Sequence, residues 1–336
     1  MKIDKEDLKL IADILSNDFD FYRNKRIFIT GGTGFFGKWL LESIVYLNEN
    51  HQLNLSATVL SRSSEKFRDV APWFFNHDYI NFIDGDVRNF KCENVEFDYI
   101  IHAATDASVS LNKSNPGLMR STIMDGAKRI CEFAKEVNCK RILFTSSGAA
   151  YGPQPASMSH MPESFVNNPR FNKDDAYASA KLESEAYFKK NACCDVVIAR
   201  CFAFSGPYLP LTGAYAFGNF ISDVVNNRNI VIKGDGKAVR SYLYAGDLII
   251  WLLRILSSGK NGSIYNVGSN ESISIGELAH KVSLGKVDTV ILGKSDGNKN
   301  VYVPCINKAM NELDLKIYTS LESSISKTLH FEGLND

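Results

Sequence analysis

Tyr177-Ala-Ser-Ala-Lys181 sets a phenol and an ammonium four residues apart. On a helix that spacing puts both groups on one face. A lysine charge beside a phenol favours the phenolate, so Tyr177 is fitted to take or return the proton of a sugar hydroxyl or carbonyl. Lys181 is also able to donate to the ribose of a nicotinamide dinucleotide. Alone, such a pair describes an ordinary helix surface as well as a catalytic one. Its context decides, and two upstream segments supply that context. Arg141 to Thr145 reads as a strand that ends in Thr145-Ser146-Ser147. Ser147 is the candidate for the hydrogen bond that orients the reacting oxygen, with Ser146 the nearest competitor.

The second segment is Gly31-Gly-Thr33-Gly34-Phe35-Phe36-Gly37, entered directly from the apolar run Arg26–Thr30 and followed by a helical pattern from Phe35 to Leu47. Each spaced glycine has its own task. Gly31 permits the tight turn, Gly34 lets backbone approach a pyrophosphate, and Gly37 lets helix pack closely on strand. The residues opening the helix, Thr33 to Gly37, present N–H groups and the positive end of the helix dipole to phosphate. A glycine motif is weak evidence alone and strong evidence between a strand and a helix. The next strand, Leu55–Leu60, runs into Ser61-Arg62-Ser63, where an acid would bind the ribose 2′-hydroxyl of NAD. The basic side chain and two serines suit a 2′-phosphate instead, which favours NADP. Arg62 directed into solvent would leave NAD open.

These residues need a scaffold of alternating strands and helices. Further short apolar runs at 80–83, 99–101 and 196–199, with helical patterns near 117–137 and 174–190, predict an α/β fold, a Rossmann-like doubly wound parallel sheet. Residues 1–24, with apolar Leu8, Ile11, Ile14 and Leu15, read as a docked N-terminal helical extension or a partner-binding arm. Residues 25–205 form the dinucleotide-binding domain. After about Gly206 segments shorten and Gly, Pro and Asn become denser. Residues 206–336 are therefore read as a smaller mixed substrate-binding region, closing over the carboxyl ends of the strands. The boundary is soft, with segments crossing it.

Composition narrows the class. The 336 residues are 45% hydrophobic and 23% charged, the balance of an ordinary globular chain. Lys plus Arg and Asp plus Glu both number 38, so net charge gives no reason to expect a nucleic-acid partner. No run approaches the roughly 20 apolar residues of a membrane helix. Seven scattered cysteines without a CxxC pair or His/Cys cluster suggest free thiols in the cytoplasm and no metal site.

The ordered set Thr30–Gly37, Asp84-Gly-Asp-Val-Arg88, His102-Ala-Ala104, Ser146–Gly152, Tyr177-xxx-Lys181, Arg200-Cys-Phe-Ala-Phe-Ser-Gly-Pro207 and Arg240-Ser-Tyr-Leu-Tyr-Ala-Gly-Asp247 spans nearly the whole chain. It resembles the extended short-chain dehydrogenase/reductase family, in its NAD(P)-dependent nucleotide-sugar epimerase/dehydratase branch. The resemblance implies that Asp86 and Val87 bracket the adenine, and that Ala103, Ala104 and Thr105 line the ribose and nicotinamide side. It implies that Arg240 holds the substrate diphosphate and that Asn219 contacts the nucleotide-sugar. It implies a homodimer through the helices near 117–137 and 174–190, and a place in surface-polysaccharide precursor synthesis.

Two departures matter. The 4,6-dehydratases carry an acidic pair after the catalytic hydroxyl, because elimination needs one group to take the C5 proton and another to protonate the departing C6 hydroxyl. Here those positions are Gly148 and Ala149, which disfavours dehydration and also decarboxylation by a similarly placed Glu. Glu163 and Asp106 do not match the motif. Ala203 stands where many relatives have an Asn. What remains is chemistry at one carbon, most simply C4: an epimerase, a 4-dehydrogenase or a 4-keto reductase, all using the same residues. A non-catalytic dinucleotide sensor and a reductase of non-sugar carbonyls are the competing readings.

Overall fold

The computed structural model describes residues 2–93, 95–105, 109–213, 215–294 and 300–334. They fall into two compact units. The first gathers residues 1–150, 172–200 and 249–265; the second gathers 151–171, 201–248 and 266–336. Segment 249–265, assigned from sequence to the C-terminal region, thus belongs to the first unit, and Tyr151–Phe171 belongs to the second.

The first unit is built on a seven-stranded parallel sheet. In chain order its strands are β1 (Arg26–Thr30), β2 (Ser56–Ser61), β3 (Ile80–Asp84), β4 (Tyr99–His102), β5 (Arg141–Ser147), β6 (Asp195–Cys201) and β7 (Ile264–Val267). Their order across the sheet is β7-β6-β5-β4-β1-β2-β3. The order reverses at β1, between β2 on one side and β4 on the other. At such a reversal the loops leaving adjacent strands turn to opposite faces and open a crevice. β1, β4, β5 and β6 are buried along almost their whole length, which explains why they read as continuous apolar runs rather than alternating ones. On one face Phe28 packs with Phe90, Phe97 and Phe133, its ring 4.7 Å from that of Phe133.

Five helices bear on the site. α1 (Lys5–Ile14) buries Leu8, Ile11 and Ala12 and packs on α2 (Phe35–His51). α3 (Val109–Ser114) leads into α4 (Pro116–Glu136), which starts with proline at its first turn and Asn115 as N-cap. α4 lies along α5 (Ala176–Asn191), joined by the Arg120–Glu183 ion pair. Most of these elements stand where the sequence pattern puts them. β7 was not anticipated: its four residues, Ile264–Val267, fall inside the glycine- and asparagine-rich stretch that reads as irregular.

The second unit is mixed. Phe204–Ser205 pairs in parallel with Leu243–Tyr244, and Ile230–Ile232 with Thr289–Ile291. Val239–Arg240 runs antiparallel to Ile273–Ser274 and parallel to Val301–Tyr302.

Candidate active site

The glycine loop is shaped by its own backbone. Gly31 has φ +77°, and a Cβ there would lie 2.6 Å from the Ala103 carbonyl oxygen, so only glycine lets the turn approach the end of β4. A Cβ on Gly37 would lie 2.2 Å from the Gly32 backbone. Gly34 differs. Its φ is −85°, and a Cβ would meet only the Gly31 carbonyl oxygen, at 3.4 Å. Folding therefore demands glycine at 31 and 37, whereas at 34 the fold itself leaves room for a side chain. Gly34 is the N-cap of the 17-residue α2 and no side chain caps it. Thr33, Phe35 and Phe36, all half-buried, complete a cradle that fits a dinucleotide phosphate.

Across the switch point, β4 and β5 end in a connected polar cluster. Thr30 Oγ1 accepts the Ala104 N–H at 3.1 Å and lies 2.8 Å from His102 Nδ1. Ala103 N–H donates to the Thr30 carbonyl. Burial, and then the charge of Lys181, push the His102 imidazole down to about 3, so it stays neutral. Thr105, expected to line the cofactor, receives the Lys181 ammonium on Oγ1 at 2.7 Å. A second Lys181 hydrogen bond goes to the Thr145 carbonyl at 2.8 Å. Lys181 Nζ stands 4.9 Å from the Phe144 ring centroid and 5.9 Å from that of Tyr177.

Tyr177 is half-buried in the first turn of α5. That turn is fixed by residues the sequence reading missed. Asp175 caps α5 by accepting the Ala178 N–H, and also accepts from the Asn112 amide at 3.1 Å. Asn112 in turn accepts the Tyr177 N–H at 3.1 Å, tying α3 to α5. Ser147 ends β5, two residues after the carbonyl that holds Lys181, and its Oγ accepts the Ala149 N–H. Its competitor Ser146 is committed elsewhere, donating to the buried Glu185 carboxylate. Gly148 and Ala149 follow in a tight helical turn without an acidic group.

At the end of β2, Ser61 closes the strand and accepts the Ser63 N–H, while Ser63 caps the next short helix through the Lys66 N–H. Arg62 is exposed. The acid absent from β2 has a neighbour in β3: Asp84 pairs in register with Ser61 and accepts the Ser64 N–H at 2.7 Å. Sequence separation hid this juxtaposition. Asp86 is engaged by Arg88 through its backbone N–H and guanidinium, and that side chain holds the Asp86 carboxyl below its usual range. Val87 is buried.

The second unit carries the two residues expected to meet substrate. Arg240 donates to the Val239 and Asn300 carbonyls, and burial pushes its pKa down. Asn219 donates to the Gly213 carbonyl. Glu163 accepts the Asn266 N–H there; Asp106 lies outside the described residues.

A nucleotide cradle at a sheet switch point, with a tyrosine–lysine helix beside it, defines a pyridine-dinucleotide enzyme. Residues 27–268 match the model of the NAD dependent epimerase/dehydratase family, and the chain belongs to that family, within the extended short-chain dehydrogenases/reductases. It is 27% identical over 315 residues to UDP-glucuronic acid decarboxylase 1 of Xenopus tropicalis, covering 91% of this chain and 72% of the relative. It is 26% identical to dTDP-D-glucose 4,6-dehydratase of Homo sapiens, over 77% of this chain and 73% of the relative. In structure it resembles UDP-N-acetylglucosamine 4-epimerase of Methanobrevibacter ruminantium, with TM-score 0.78, 23% identity, and 92% and 98% of the two chains covered.

Proposed function

We propose that the protein is a nucleotide-diphosphate-sugar 4-epimerase, acting by reversible hydride transfer at one ring carbon. The carrying observation is that the Lys181 ammonium, one turn below Tyr177, is pinned to Thr105 and to the carbonyl of Thr145 beside the glycine cradle. A bound nicotinamide supplies the hydride acceptor and donor. Tyr177 Oη takes the proton of the C4 hydroxyl as that oxygen becomes a carbonyl, and gives it back on return. Ser147 donates to the same oxygen and orients it. Lys181 holds positive charge close to the phenol, which favours its proton loss. Epimerisation follows when the keto sugar turns over before hydride returns. A 4-dehydrogenase or 4-keto reductase would use these residues without the turn. Gly148 and Ala149 carry no carboxyl, which counts against elimination or decarboxylation.

On cofactor, Arg62 with Ser61 and Ser63 supports NADP, while Asp84 beside the end of β2 favours NAD as the second reading. Arg240 and Asn219 are the proposed nucleotide-sugar contacts, and Asp86 and Val87 the proposed adenine contacts. Pairing of α4 and α5 with a second copy is the proposed dimer.

The test is turnover of a panel of UDP-, dTDP-, CDP- and GDP-sugars in deuterated water, with and without Tyr177→Phe. The expected result is a 4-epimer, no deuterium at C5, and a loss in the variant of roughly 10²–10⁴-fold in kcat. Deuterium at C5 refutes the single-carbon reading; unchanged turnover in the variant refutes the role of Tyr177.

A further inference from the structure

Tyr177, Lys181 and Glu185 repeat every four residues and form one stripe along α5. Two of them are tied to consecutive residues at the end of β5. Lys181 donates to the Thr145 carbonyl at 2.8 Å, and Glu185 Oε1 accepts from the Ser146 hydroxyl. Ser147, the candidate catalytic hydroxyl, is next along the strand. Glu185 is itself immobilised: Arg200 on β6 donates to Oε1 from Nε at 2.9 Å and to Oε2 from Nη2 at 2.6 Å. All three side chains are buried, with Ser146 and Glu185 each 3% exposed and Arg200 5%. A carboxylate held by two bonds from one rigid guanidinium has little freedom left, so the serine it grips inherits its position.

We infer that Glu185, anchored by Arg200, is a positioning residue whose bond to Ser146 sets the register between the catalytic helix and the end of β5. Resting on the proposed function, this gives the ladder a task beyond stability. Lys181 and Ser147 sit on different elements, and the Glu185–Ser146 rung lies one helical turn from the Lys181–Thr145 rung. Without it, the Lys181–Thr145 bond, made by a group that the proposed reaction itself uses, carries more of the register between β5 and α5. No substrate or cofactor touches Glu185 in this reading; its influence passes through Ser146 and the strand end.

The experiment uses the full chain, with Ser146→Ala as the main variant. It removes the rung and leaves the Glu185–Arg200 pair whole. The expected result is a fall in kcat of about tenfold, with KM for the nucleotide-sugar changed less than about twofold. Dinucleotide affinity, read by quenching of protein fluorescence, weakens several-fold because Lys181 is less well held. A Ser146→Ala protein with a lower Tm but wild-type kcat and dinucleotide affinity overturns the inference in favour of a structural role. Glu185→Gln is the companion. It keeps an oxygen for the Ser146 hydroxyl and removes the charge facing Arg200. Its Tm and its kcat are both expected to fall, kcat by about three- to tenfold, because the bidentate anchor that fixes the carboxyl is loosened. Wild-type kcat in Glu185→Gln, with only a lowered Tm, would show that the Arg200 anchor does not position Ser146 and would overturn the inference. Tyr177→Phe, run beside both, separates the two levels: if it retains turnover, the proposed function fails; if it is inactive while Ser146→Ala and Glu185→Gln turn over at the wild-type rate, the ladder fails.

Discussion

His102 offers a test of the site's electrostatics that needs no substrate. The ring is 2% exposed, stacked 5.5 Å from Phe144 and tilted against Phe188. Since Thr30 Oγ1 already accepts the Ala104 N–H, its own proton is available to His102 Nδ1, and we assign the neutral tautomer that accepts there. Protonating Nδ1 would set two donors face to face and add a charge near Lys181. Burial and that charge lower the imidazole from 6.5 to about 3. The unfolded chain takes up this proton as pH falls through 6.5, and the folded chain does not until about 3. Stability from the neutral ring is complete above 6.5 and is lost through the window from 6.5 down to 3. Between pH 7 and pH 5 the loss is roughly 2 kcal/mol, at 1.36 kcal/mol per unit. His102→Asn keeps an acceptor near the Nδ1 position and cannot titrate. Urea unfolding of both proteins at pH 7 and pH 5 gives a double difference from which the other histidines cancel. A value near zero would refute the claim that this imidazole is held neutral.

Three further substitutions probe the cradle. Gly37→Ala drives a Cβ to 2.2 Å from the Gly32 backbone and is expected to cost about 3 kcal/mol or more, seen as a lowered Tm. Gly34→Ala meets only one carbonyl oxygen, at 3.4 Å, so its Tm should stay within about 2 °C of wild type while dinucleotide affinity falls at least about tenfold. Arg62→Ala should weaken NADP binding and leave NAD binding within about twofold, checked by the ratio of the two dissociation constants; an unchanged ratio points to Asp84 and to NAD.

The scaffold was readable because a parallel sheet covered on both faces prints its strands as apolar runs. Strands at 26–30, 99–102 and 141–147 stand within two residues of where the pattern puts them. The tyrosine–lysine pair and the glycine loop were readable because each is local: a helical repeat and a strand–turn–helix. What stayed hidden depends on pairings far apart in sequence. Asp84 reaches the end of β2 only through the β2–β3 register. Asn112 and Asp175 are 63 residues apart yet together fix the first turn of α5. Glu185 shows a four-residue repeat with Tyr177 and Lys181, but its partners Ser146 and Arg200 lie on two other elements. β7 failed for a different reason: four residues are too few to give a period.

The relatives do not agree on a reaction, and the site explains why overall similarity cannot choose among them. A decarboxylase and a dehydratase stand among the sequence relatives, and a 4-epimerase among the structural neighbours. On the proposed reading, Tyr177 and Lys181 serve oxidation at C4, a step that each of these chemistries could share. They part at the next step, where a base is needed at C5 or a carboxylate must be lost. On the proposed reading, that step falls to the one or two side chains just after Ser147. In this chain the turn after Ser147 offers Gly148, which has no side chain, and Ala149, whose methyl cannot carry a proton. On the proposed reading, oxidation at C4 then has two exits, return of hydride or departure of the keto sugar, and how firmly the dinucleotide is retained through the cycle selects between them. A tightly retained dinucleotide favours return and an epimer; ready exchange favours a dehydrogenase or reductase.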